Sequence, residues 1–201
     1  MLHRVGSSRP PLAAPSDWRA TVRAPSEVGV TRPPFEAPSA LDVRTVSYQL
    51  GRPARDVVGI AARCVCGAPT VVSTRPRLSD GSPFPTLYYL SHPAATAAVS
   101  TLEAEGEMPG LAALLSGEVA DRYRAAHESY IADRESVLVV AEVAGISAGG
   151  MPDRVKCLHA LVGHALAAGP GVNPIGDLAL ARAAWSPDEC ECVDYEDAEA
   201  L

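Results

Sequence analysis

Between Asp56 and Leu90 the apolar residues come in short, β-branched runs, and beyond Pro93 they recur at helical spacing. Val57-Val-Gly-Ile-Ala-Ala-Arg-Cys64, bounded by Pro53 and Gly67, predicts a strand, and Thr70 to Thr74 predicts a second. Asp80-Gly81 is a turn signal and Thr86 to Leu90 reads as a third strand, which makes the region a small antiparallel meander. Ser91-His-Pro93 opens a helix: Ser91 or His92 caps it, Pro93 takes the first helical position, and Gly106 stops it. Further helices are expected from about Pro109 to Leu115, Glu118 to Val143, Pro152 to Ala168 and Asn173 to Trp185. A weaker one spans Ser39 to Leu50 and ends at Gly51. The expected architecture is α+β, a small antiparallel β-meander of about three strands packed against a C-terminal layer of four to five helices.

Composition divides the chain of 201 residues into three parts. Residues 1–40, rich in Pro, Ser, Ala and Arg and without period, are expected to form a disordered leader. Residues 41–186 form a single α+β domain, and 187–201 an acidic, disordered tail. After Trp185 stand Asp188, Glu189, Glu191, Asp194, Glu196, Asp197 and Glu199 with no base, and these seven carboxylates equal the whole formal charge of −7. The remainder is near neutral and has no basic stripe, which argues against nucleic-acid binding. No apolar stretch reaches the roughly 18–20 residues of a membrane span, and the first residues lack the apolar core of a secretory signal. A cytoplasmic protein is expected, with a protein partner left open. Five cysteines then favour free thiols or metal ligands over a disulfide scaffold.

Arg63-Cys-Val-Cys-Gly-Ala-Pro69 is the one segment with the look of a metal half-site. Thiolates in a turn suit zinc, and Gly67 can take the positive φ that lets amides face sulfur. Against this, metal knuckles usually place at least two residues between the thiols, and only Val65 stands here. The other half must come from Met151–His164 or from Cys190 and Cys192. On an ideal helix Cys157 and His164 point the same way, about 20° apart and about 10.5 Å along the axis, whereas His159 and His164 diverge by about 140°. The expected zinc ligands are therefore Cys64, Cys66 and Cys157, with His164 or His159 as a fourth. Cys157 at the border of an apolar stripe is more commonly just a buried small hydrophobe. Cys190 and Cys192 sit between acidic residues that disfavour thiolates.

Other patterns carry less. Tyr123, His127, Tyr130 and Arg134 share one face of the long helix, as a proton relay or, more commonly, a polar seam between elements. Gly149-Gly150 before an expected helix at Pro152 suggests an anion cradle assisted by Arg154 and Lys156. No Gly-x-Ser-x-Gly, His-Glu-x-x-His or dinucleotide fingerprint occurs, so no catalytic residue is assigned.

Val58-Gly-Ile-Ala-Ala-Arg-Cys-Val-Cys-Gly-Ala-Pro69, Arg77-Leu-Ser-Asp-Gly-Ser-Pro-Phe-Pro-Thr-Leu-Tyr-Tyr-Leu90 and Gly150-Met-Pro-Asp-Arg-Val-Lys-Cys-Leu-His through Asn173-Pro-Ile-Gly-Asp177 together resemble an actinobacterial family, number 501 among domains of unknown function. The resemblance spans roughly Val46 to Trp185 and implies a bacterial cytoplasmic protein with no assigned activity. The leading expectation is a small zinc-stabilised binding or regulatory domain. The rival is a hydrolase or transferase acting on a small anionic substrate at Gly149–Lys156.

Overall fold

A computed structural model describes residues 33–193. Three antiparallel strands lie in sequence order: β1 (Val57–Arg63), β2 (Pro69–Thr74) and β3 (Tyr88–Leu90). β2 is the central strand and all six of its residues are buried. Side chains alternate across a strand, so neighbouring residues serve opposite cores. Ala61, Val71, Tyr88 and Leu90 face the larger core, whereas Ile60 and Val72 face a smaller one with Val46.

Helices cover both faces. α1 (Ala40–Leu50) supplies Val46 to the smaller core. It starts at a Ser39 capping box, in which Asp42 N–H donates to Ser39 Oγ and Asp42 returns a carboxylate to the Ser39 amide, and it stops at a left-handed Gly51. The larger core takes α2 (Pro93–Ala104), α3 (Glu107–Ala112), α4 (Gly117–Val137), α5 (Leu158–Ala168) and α6 (Pro174–Arg182). Pro93 and Pro174 occupy first-turn positions behind the caps His92 and Asn173, as expected from the sequence. The α+β architecture with its helices gathered after the sheet is what the residue pattern predicts. Phe35 and Glu36, at the end of the segment read as a leader, already touch the sheet: Phe35 packs edge-on to Tyr88, and Ile60 N–H donates to Glu36 O. The leader through residue 32 and the tail from 194 lie outside the described residues.

Two expected boundaries are corrected. The long helix ends at Val137 rather than near Val143, because Leu138 turns extended and the Arg134 guanidinium gathers the carbonyls of Val143 and Ile146. The helix expected at Pro152 begins instead at Leu158. Gly149 and Gly150 both have positive φ, and Lys156 N–H and Cys157 N–H donate to Gly149 O while Arg154 N–H donates to Gly150 O. The segment is thus a closed turn whose amides are bonded internally. The helix N-terminus on which the anion-binding reading of Arg154 and Lys156 rested is not there.

Candidate metal centre

Cys64 to Gly67 form the turn joining β1 to β2. Cys64 N–H donates to Ala68 O at 2.8 Å and Gly67 N–H to Cys64 O at 2.8 Å, with Gly67 at φ +90°. This compact turn aims two further amides at sulfur: Cys66 N–H at the Cys64 sulfur and Ala68 N–H at the Cys66 sulfur. An amide donated to sulfur from two residues onward is what a thiolate in a turn needs. A single residue between the cysteines suffices because the turn is tight.

The opposite half arrives from the other end of the fold. After α6 the buried Trp185 ring meets His92 with centroids 5.2 Å apart. Val65 N–H then donates to Pro187 O at 2.9 Å, pinning the C-terminal segment along the turn. That contact carries Cys190 and Cys192 over Cys64 and Cys66, and all four sulfurs lie within 4.8 Å of one another. The Cys66 and Cys192 sulfurs are 3.4 Å apart, and all the cysteines are free thiols.

His92 stands behind the cluster. Its Nδ1 accepts Ala95 N–H as the α2 cap, so the proton of the neutral ring sits on Nε2, which donates to the Cys192 sulfur at 3.1 Å. Burial keeps the ring neutral by pushing its pKa down, against the pull of Glu191. Cys64, Cys66 and Cys192 have diverging proton affinities. Burial pushes Cys64 up despite the Cys66 amide, and burial together with the Cys66 and Cys64 sulfurs pushes Cys192 up further. Burial opposes ionisation of Cys66 as well, but the Ala68 amide and the neighbouring sulfurs outweigh it and its pKa falls.

The ligand set expected from sequence is divided by this arrangement. Cys64 and Cys66 are together, but Cys157 falls in a separate group with Glu103 and His159. Cys157 is the N-cap of α5 rather than part of its face, so the angular match with His164 does not apply. His164 is fully buried, stacked on Tyr88 with ring centroids 5.6 Å apart and bonded through Nδ1 to Asn173 Nδ2 at 3.2 Å. Its place is in the core. The Tyr123–Arg134 face is a polar seam: Tyr130 OH accepts Leu87 N–H at 2.6 Å, and His127 Nδ1 meets Ser147 Oγ at 2.9 Å. The cysteines that sequence reasoning ranked lowest, Cys190 and Cys192, repeat the Cys-x-Cys spacing of Cys64 and Cys66 at the far end of the chain. That repetition was the available signal.

Among the described residues no helix is long and apolar enough to cross a membrane. Comparison with curated proteins and with solved structures finds no match. A family model covers residues 60–181, a stretch that includes Cys64, Cys66 and Cys157 and ends before Cys190 and Cys192. The family is described as "Protein of unknown function (DUF501)", and the chain belongs to it.

Proposed function

We propose that Cys64, Cys66, Cys190 and Cys192 bind one zinc ion that clamps the segment after Trp185 onto the β1–β2 turn, and that the chain is a zinc-stabilised binding or regulatory module. The observation that carries this is the meeting of four sulfurs from two ends of the fold, with Cys66 and Cys192 separated by 126 positions. Zn–S bonds of about 2.3 Å place tetrahedral sulfurs about 3.8 Å apart. The observed spacings bracket that value, at 3.4 Å for Cys66 and Cys192 and none beyond 4.8 Å.

Electrostatics favours the same ion. Thiolates this close repel strongly, and a divalent cation is what allows several of them to ionise together. Amides of Cys66 and Ala68 and the Nε2–H of His92 supply the outer hydrogen bonds that hold ligand sulfurs in place. Four protein ligands close the coordination sphere, which suits a structural role and leaves no position for a reacting water. Free thiols are most readily kept in a reducing compartment, which fits a cytoplasmic setting. The clamp presents the exposed Asp188, Glu189 and Glu191 beside the turn, a strip suited to a protein partner bearing basic side chains.

The test is metal content and melting. Untagged protein purified without chelator should carry zinc that Cys192→Ser loses. At free zinc a thousandfold above Kd, the bound ion contributes about 4 kcal/mol. At about 2–4 °C per kcal/mol, chelation should lower Tm by roughly 8–16 °C. Zinc content unchanged in Cys192→Ser, or a Tm indifferent to chelator, would remove this reading.

A further inference from the structure

A second group of metal-binding side chains lies where α2 packs against the start of α5. Glu103 is in the last turn of α2, Cys157 is the N-cap of α5, and His159 is in its first turn. One donor atom from each lies within 4.8 Å of the other two.

Each side chain is held by a neighbour that leaves a donor facing the common centre. Thr96 O can only accept, so the His159 Nε2 that lies 3.3 Å from it carries the ring proton; Ser100 Oγ is 3.1 Å from the same nitrogen. Nδ1 lies 3.3 Å from Glu103 Oε1, an oxygen that likewise only accepts, so a bound ion would take the place of the Nδ1 proton between them. Leu158 N–H donates to that oxygen at 2.7 Å and fixes the carboxylate. The Cys157 sulfur is the third donor, and its hydrogen bond with His159 lowers the thiol pKa against burial. A ligating histidine whose second nitrogen donates to a carbonyl, beside a carboxylate that itself accepts an amide, is the usual outer architecture of a metal site.

We propose that Glu103, Cys157 and His159 form a second zinc site, of the three-ligand kind that leaves one coordination position to water or to an oxygen of a substrate. The donor set selects the metal. One sulfur, one nitrogen and one oxygen suit a borderline cation, whereas magnesium and calcium require oxygen. Thiolate and carboxylate together neutralise a divalent ion. Access is also right, because the Glu103 and His159 side chains are each 27% exposed and Cys157 is only partly buried. The site therefore faces solvent on one side with a coordination position to spare, and it does not depend on the four-cysteine cluster binding metal.

Zinc per chain, measured on the untagged full-length protein purified without chelator, tests the proposal. Two zinc ions are expected, falling to one in His159→Gln and in Glu103→Gln, to one in Cys192→Ser, and to none in Cys192→Ser combined with His159→Gln. Cobalt(II) added to Cys192→Ser should give a tetrahedral visible spectrum with weak sulfur charge transfer that His159→Gln abolishes. If Cys192→Ser does not fold, the difference of one zinc between wild type and His159→Gln, at matched circular dichroism, decides alone. Equal zinc in wild type and His159→Gln overturns the proposal. So does rapid alkylation of Cys157 that excess zinc fails to slow, which would make the group a bare reactive thiol. One zinc lost in Cys192→Ser but retained in His159→Gln leaves only the four-cysteine reading standing, and the opposite pattern leaves only this one.

Discussion

Tyr130 shows how a single polar group is used in this core. Its ring packs edge-on to both Tyr88 and His164, and its hydroxyl accepts the amide of Leu87 just before β3 begins. Burial outweighs those amide bonds and pushes the phenol pKa up to about 12, so the group is a neutral anchor rather than a proton donor. Tyr88 uses the same device in reverse, donating its hydroxyl to Asp133 at 2.8 Å. Tyr130→Phe keeps the ring packing and strands the Leu87 amide, at a cost of about 1–3 kcal/mol. Urea denaturation should show a lower midpoint with an unchanged slope. A midpoint equal to wild type would mean that the amide finds another partner. The spacing of Tyr123, His127, Tyr130 and Arg134 showed that they share a face. It could not show that β3 and the Val143–Ile146 return would supply their partners, because those contacts cross the fold.

At the scale of elements, α5 is the centre of the helical layer, lying between β3 and α6. Its neighbours approach closely because of glycine on both sides. A Cβ at Gly176 would lie 2.2 Å from Leu161 O, whereas one at Gly163 would lie 3.2 Å from Tyr88 O and 3.6 Å from Leu90 N. Gly176→Ala forces α6 off the α5 backbone and should cost at least about 2–3 kcal/mol. Gly163→Ala asks for a shift of a few tenths of an ångström and gains about 1 kcal/mol of helix propensity, so its net effect should stay within about 1 kcal/mol. Thermal melts of the two variants should therefore rank Gly176→Ala clearly lower, and the reverse order would contradict this packing. Local chemistry made most element boundaries legible: Ser39 before α1, His92-Pro93 before α2 and Asn173-Pro174 before α6. The start of α5 was not legible, since Gly149-Gly150-Met-Pro152 imitates a helix opening while the true cap, Cys157, makes no side-chain cap bond. The end of α4 was hidden for a related reason. Val137-Leu-Val-Val140 carries no glycine or proline, and what accompanies the end of the helix is the Arg134 guanidinium bonding to the distant carbonyls of Val143 and Ile146.

At the scale of the whole molecule, the cysteine turn at Cys64 and Cys66 was legible and its meeting with Cys190 and Cys192 was not, because that meeting is a matter of topology. The turn after β1 and the segment after α6 become neighbours only once the helical layer has folded back, and no spacing along the chain encodes that. The same long-range assembly gives stability two opposed dependences on pH. Burial alone would raise Asp42, but hydrogen bonds from Arg63 and Ser39 and the Arg63 charge hold it at about 2, below its ordinary 3.8. A depressed carboxyl adds stability above its unfolded value, and that stability is lost as pH falls from 3.8 towards about 2. Asp177 is the opposite case: burial raises it to about 7, against the amide of Gly171 that it accepts at 2.8 Å. Between 3.8 and about 7 the folded chain holds a proton there that the unfolded chain releases, so stability falls as pH rises through that window. Each pH unit removes at most about 1.4 kcal/mol. Asparagine can accept the Gly171 amide without ionising, so Asp177→Asn should match wild type near pH 4 and exceed it in Tm by a margin that widens up to pH 7. Asp42→Asn should instead trail wild type at pH 5 and converge on it towards pH 2. Parallel curves for wild type and Asp177→Asn would mean that the carboxylate reaches solvent and ionises freely, and that the Gly171–Asp177 link between the α5 and α6 ends is open rather than sealed.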